Sequence, residues 1–216
     1  MTATIKGKIG ILIEEHFDET EYKRFKEFFP KHGYEVEYIS HLWGQPSLTF
    51  KGNDHEAEVT VSVEINDVKP EDYKGIILIG GYAMDRLRYQ VNPQPGQPNN
   101  APGVQFLRKA VKVMDSGTLK IGTICHSMWL FCADRELIKG RKVTCAHNII
   151  CDVENAGGVV VCKGNETATT HVDGNLISGR HPGFLEEFMQ VFLEAIEKGE
   201  KVERQLETVP PANYLG

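Results

Sequence analysis

Apolar positions along the chain fall into short continuous runs separated by longer periodic ones. The run KIGILIEE (8–15) has the length of a buried strand. In FDETEYKRFKEFFPKHG, the residues Tyr22, Phe25, Phe28 and Phe29 repeat at helical spacing, with Asp18 or Thr20 suited to cap the start and Gly33 the end. YEVEYIS (34–40) then alternates as a strand does. Strand, helix and strand joined by such short links predict a parallel crossover, and so an α/β sheet covered on both faces.

The pattern continues in the same style. VTVSVEI (59–65) and the aliphatic IILIGG (76–81) read as strands, and Val104, Leu107, Val111 and Met114 mark one helix face. LKIGTI (119–124) predicts the next central strand, with CHSMWLFCAD as the start of a helix. GRKVTC (140–145), GVVVCK (158–163), TATTHV (167–172) and NLISGR (175–180) predict further short strands, the last two joined by a hairpin turn at Asp173–Gly174. A final helix over about 182–198 carries the stripe Leu185, Phe188, Met189, Phe192, Leu193 and Ile196. Residues 41–58 show no clean period and predict a loop or flap, and the three prolines of 90–100 predict a rigid surface loop rather than a linker. One domain over 1–216 is expected, with its core over about 8–197 and a tail from 199 whose place the sequence leaves open.

Composition narrows the partners. A formal net charge of -6 without a basic run argues against nucleic acid and anionic membranes, and favours a small-molecule substrate or a protein partner. No apolar run approaches the roughly 20 residues of a membrane span, and MTATIKGKIG lacks a signal-peptide core, so a cytoplasmic location is expected. Cys125, Cys132, Cys145, Cys151 and Cys162 are odd in number and show no C-x-x-C spacing, which predicts reduced and mostly buried thiols. His147, His171 and His181 do not form a ligand motif, and no metal is expected.

One cysteine stands apart. Cys125 falls where the strand 119–124 ends, and in parallel sheets ligands bind beyond the carboxyl ends of strands. A sharp strand-to-helix turn there exposes the side chain, and a helix N-terminus favours the thiolate. Candidate oxyanion donors are the amides of Gly80 and Gly81 on a neighbouring strand end and of residues beside the cysteine, Ser127 among them.

The run GTICHS, with GGYAMDRLR before it and IKGRKVTCAHNIICDVENAGGVVV and VDGNLISGRHPG after it, resembles the ThiJ/PfpI superfamily of the class I glutamine amidotransferase-like fold, over residues 8–197. The glyoxalase III-like and PfpI branches are the most similar in their motifs. The resemblance implies a flavodoxin-like three-layer α/β sandwich with a mainly parallel central sheet and a nucleophile elbow. It further implies that Cys125 is the nucleophile, His126 its neighbour in catalysis, and an acid at the end of the first strand a partner of the thiol. Counting through EEHFDETE places Asp18 in that role, with Glu15 and Glu19 as substitutes. Asp85 matches a glutamate that in PfpI-type proteases reaches across a subunit interface toward the histidine. Implied with it is a homo-oligomer, dimer or hexamer, needing no organic cofactor.

The leading expectation is a cysteine-dependent enzyme acting on a small reactive carbonyl, for which SHLWGQPSLTF looks similar to the insert of glyoxalase III-like relatives. A PfpI-type protease or amidase, an isocyanide hydratase, and a non-enzymatic redox sensor or chaperone remain open as alternatives.

Overall fold

The computed structural model describes residues 5–198. Strand β1 (Gly7–Leu12) is followed by helix α1 (Glu19–Lys31), which buries Tyr22, Phe25 and Phe29 and ends before Gly33, whose φ of 88° lies in the left-handed region. Then come β2 (Tyr34–Ser40), β3 (Leu48–Lys51), β4 (Glu58–Val61), β5 (Val63–Glu64) and β6 (Gly75–Leu78). Helices α2 (Ala83–Leu87) and α3 (Pro102–Asp115) lead to β7 (Lys120–Ile124), α4 (Trp129–Cys132) and α5 (Arg135–Ile138). The remainder is β8 (Lys142–Val143), α6 (Ile150–Asn155), β9 (Val159–Val160), β10 (Cys162–Lys163), β11 (Glu166–Thr167), β12 (Thr170–Asp173), β13 (Leu176–Gly179) and α7 (Leu185–Lys198).

Seven of these strands form one sheet in the order β12-β13-β7-β6-β1-β2-β5. All neighbours are parallel except the edge pair β12 and β13. From β1 the chain crosses through α1 to β2 in one direction, and from β6 through α3 to β7 in the other. Right-handed crossovers running in opposite directions place α1 and α3 on opposite faces of the sheet. Helix α7 joins α1, where Phe188 lies 6.3 Å from Phe25 and Phe192 lies 6.1 Å from Phe29 between ring centroids. The result is a three-layer, flavodoxin-like sandwich. Its strand order reverses between β1 and β6, so the crevice beyond their carboxyl ends is where ligands bind in such sheets.

Three stretches depart from the sequence expectations. VTVSVEI is divided, with Glu58–Val61 pairing antiparallel to β3 and Val63–Glu64 joining the sheet edge beside β2. The aperiodic 41–58 segment thus builds half of a hairpin, in which Phe50 faces Val59. CHSMWLFCAD opens as a tight turn, and only one helical turn, α4, follows. The Ser127 hydroxyl takes the Ile124 amide at 2.7 Å and the Cys125 carbonyl receives the Ala146 amide at 3.1 Å, which directs these groups away from a helical ladder. Helix α6, in CAHNIICDVENAGG, lies in a segment the apolar pattern left unassigned. Among the described residues no helix is long and apolar enough to cross a membrane. The expected tail lies outside the described residues.

Candidate active site

Cys125 has φ of 58°, a left-handed conformation rare for a side chain of its type. Holding a residue other than glycine there costs on the order of 1–2 kcal/mol, and neighbouring contacts maintain it. Its amide donates to the Gly179 carbonyl of β13 at 3.0 Å and its own carbonyl accepts from Ala146, so both ends of the turn are pinned. The elbow turns the sulfur toward a cavity of about 680 Å³. Asp18, Asn53, Tyr82, His126, Asn148 and Arg180 are among its walls, with Gly81, His147, Glu166 and His181.

One acid beside the elbow is one the sequence reading did not single out. Glu21, in the first turn of α1, is fully buried, and its Oε2 accepts the Gly80 amide at 2.6 Å. Its Oε1 has no hydrogen-bond partner among the described residues. A Cβ at Gly80 would lie 2.6 Å from that oxygen and 2.9 Å from the Cys125 Cβ, so the carboxyl and the cysteine converge on the same glycine. Glu21 was legible in principle: it sits four residues before Phe25, in phase with the apolar stripe of the helix, where an acid is out of place.

Asp18 lines the cavity and at the same time caps α1, accepting the Glu21 amide through Oδ1 at 3.0 Å. Its amide donates to the Gly80 carbonyl at 3.2 Å, which ties the first loop to the end of β6. The two substitutes have structural employment elsewhere. Glu15 accepts the Lys51 amide at 2.8 Å, and buried Glu19 accepts the Glu56 amide at 2.9 Å and pairs with Lys23.

His126 brings Nδ1 to 3.1 Å from the Cys125 sulfur and Nε2 to 2.8 Å from Nδ2 of Asn148. Tyr82 and Trp129 border the ring, with centroids at 6.2 and 5.0 Å. Trp129 is itself fixed by its indole N–H to Asp152 at 2.9 Å and by Arg88 over its ring.

Burial governs the charges. It is the main cause pushing the Cys125 thiol up to about 12, helped by the negative charge of Glu21 and Asp18 and opposed by the amides of His126 and Gly81 at the sulfur. No long helix begins here to favour the expected thiolate, and burial favours the thiol instead. Burial, with Asp18 adding, holds Glu21 well above the usual carboxylate range, against the Gly80 amide. That shift favours the protonated form of Glu21, whose O–H would be a donor. Asp18 is also raised by burial, opposed by the Glu21 and Thr20 amides. Burial lowers His126, which favours the neutral ring.

The expected oxyanion donors divide. The Gly80 amide is taken by Glu21, and Ser127 is fully buried with its amide on the Ile124 carbonyl at 3.0 Å and its hydroxyl on the Ile124 amide. Both are corrected to structural roles. Gly81 keeps a place at the sulfur; with φ of 70° and a would-be Cβ only 2.4 Å from the His16 carbonyl, no side chain fits there. Asp85 stands outside this cavity. It is exposed, pairs with Arg88 at 2.6 Å, and lines a separate 320 Å³ hollow with Glu14, Trp43, Arg86 and Tyr89. The 41–58 insert reaches the cavity through Asn53, and not through His41, Trp43 or His55. His147 and His181 line the cavity while His171 lies on β12. Cys132 is half-buried and Cys145 buried, but Cys151 and Cys162 are exposed, against the expectation for most cysteines.

Comparison with known proteins agrees with this architecture. The model of the DJ-1/PfpI family matches residues 7–195. An uncharacterised protein of Staphylococcus epidermidis is 28% identical over 190 residues, covering 88% of this chain and 98% of its own, and one of Staphylococcus aureus is 27% identical over the same shares. A two-domain protein of Anabaena variabilis, with DJ-1/ThiJ/PfpI-like and ferritin-like domains, superposes with a TM-score of 0.74 at 23% identity over 95% of this chain. This chain spans about half of that one, 52%. DJ-1beta of Drosophila melanogaster superposes with a TM-score of 0.67 at 16% identity, covering 90% of this chain and 96% of its own.

Proposed function

Because the chain belongs to the DJ-1/PfpI family, we propose that it is a cysteine-dependent enzyme in which Cys125 adds to a small reactive carbonyl such as a 2-oxoaldehyde. The observation that carries this reading is the strained elbow at Cys125, aimed into the cavity beside two carboxyl groups of raised proton affinity.

The chemistry follows from those groups. The sulfur bonds to the aldehyde carbon, and the thiol proton ends on the carbonyl oxygen, giving a hemithioacetal. Asp18, raised toward neutrality, suits a carboxylate that takes the proton from that carbon and returns it to the adjacent one, leaving a 2-hydroxyacyl thioester. Water then attacks the acyl carbon, the carbon–sulfur bond breaks, and a 2-hydroxy acid leaves with the thiol restored. Neutral Glu21 supports the sulfur when it bears charge, as do the amides of Gly81 and His126. No step calls on an organic cofactor. The test is lactate formation from methylglyoxal: Cys125→Ser and Cys125→Ala are expected to abolish it, and turnover retained in either would overturn the mechanism.

A second reading rests on the unpartnered Oε1 of Glu21. A buried acid O–H beside a cysteine also suits a redox sensor, in which peroxide oxidises the sulfur to a sulfinate held by that donor. Gain of two oxygens at Cys125 under mild peroxide, with no turnover on any carbonyl tried, favours it. The protease alternative is weakened within one chain, because Asp85 lies outside the cavity.

A further inference from the structure

The resemblance implied that Asp85 of a neighbouring subunit reaches toward His126; within this chain the nitrogen facing away from the sulfur meets Asn148. That contact sets the chemistry of the ring. The Nδ2 of Asn148 has only hydrogens to offer, so the histidine nitrogen 2.8 Å away must present its lone pair. A neutral imidazole carries one proton, and with Nε2 accepting, the proton sits on Nδ1, which lies 3.1 Å from Sγ of Cys125.

From this juxtaposition we infer that Asn148 is a positioning residue that locks His126 in its Nδ1–H tautomer, making the ring a hydrogen-bond donor to the sulfur and not a base for the thiol proton. Asn148 stands in the turn His147–Ile149, which is anchored twice: the Ala146 amide reaches the Cys125 carbonyl, and the His147 ring meets the Thr167 hydroxyl at 3.1 Å. Tyr82 and Trp129 pack against each other at 6.2 Å and both border the imidazole, at 6.2 and 5.0 Å, which limits its movement on that flank. Burial favours the neutral ring, a condition the lock requires. One consequence is a division of labour: proton removal falls to Asp18, and His126 supports the charged sulfur.

The inference rests on Cys125 being the reactive group of the proposed function, but its test reads the ring directly. Nitrogen-15 NMR of the full chain, with the His126 signals assigned by their loss in His126→Asn, is expected to show a protonated Nδ1 and an unprotonated Nε2. A protonated Nε2 in the wild-type protein would overturn the lock without any variant. In Asn148→Asp the carboxylate accepts from Nε2, and the tautomer is expected to reverse. In Asn148→Ala, alkylation of Cys125 by iodoacetamide at fixed pH is expected to slow about tenfold, equivalent to one unit in the thiol pKa. Asn148→Ala protein with wild-type tautomer and wild-type alkylation rate would equally overturn it. If the tautomer is as expected and Cys125 variants still turn over methylglyoxal, the proposed function fails and this inference stands.

Discussion

One oxygen of Glu21 takes the backbone N–H of Gly80 at 2.6 Å, while the other, equally buried, has no partner among the described residues. A helix whose N-cap is Asp18 and whose third residue is Glu21 carries the pattern of a capping box. Only half of that box forms. Asp18 accepts the Glu21 amide, but the Glu21 side chain turns inward to the loop after β6 rather than back to Asp18.

Glu21→Gln tests the neutral acid through stability. The folded state holds this proton where the unfolded chain, with an ordinary carboxyl near 4.5, has released it. Above that pH the folded state binds more protons, so stability falls as pH rises toward the raised folded value. Glutamine has nothing to titrate. Urea unfolding is expected to show the variant more stable than wild type at pH 7, with the gap closing as pH falls below about 4.5. An equal gap at both pH values would mean that Glu21 is ionised in the folded protein.

Gly80→Ala places a methyl group between the acid and the cysteine, 2.6 Å from Glu21 Oε1 and 2.9 Å from Cys125 Cβ. Overpacking of this kind costs about 1–3 kcal/mol. The expected outcome is that loss in urea unfolding, together with a changed rate of Cys125 alkylation. A variant with wild-type values for both would show that the carboxyl has room to move aside.

Reactivity of Cys125 should follow its proton. With the thiol pushed up to about 12, the thiolate fraction grows tenfold per pH unit across the working range. Iodoacetamide labelling of the peptide bearing Cys125, followed by mass spectrometry, is expected to rise roughly a hundredfold from pH 7 to pH 9 without levelling off. A plateau below pH 8 would show the sulfur already ionised at rest.

Asp85→Asn separates the two roles open to that residue. As half of an exposed pair with Arg88, it contributes at most about 1 kcal/mol, and Cys125 labelling in the variant should match wild type. A clear fall in methylglyoxal turnover, with labelling intact, would instead mean that a partner subunit brings Asp85 to the site.

Much of this arrangement could be read from residue types and spacing, and the rest could not for identifiable reasons. YEVEYIS shows the bounds of β2 through its alternating residue types, although burial along the strand does not alternate and both Ile39 and Ser40 are buried. Cys125 was visible because an aliphatic run stops at it. Glu21 was hidden by its neighbours: in a row of four acids or caps around Asp18, an N3 glutamate looks like local capping, and only the loop after β6, about sixty residues later, gives it another amide. The Gly80 and Ser127 amides looked available for the same reason, since their acceptors are set by tertiary contacts. Asn148 gives no signal at all until the turn after β8 folds against the elbow.

The backbone between β1 and α1 is stitched to the backbone after β6 at two points, Asp18 to the Gly80 carbonyl and Tyr82 to the His16 carbonyl. Acid, glycine amide and aromatic wall are thereby parts of one brace rather than three independently tuned pieces. A substitution that loosens either loop should be felt at the sulfur even when it touches nothing in the cavity, and the amides of Asp18 and Tyr82 should open to solvent exchange together.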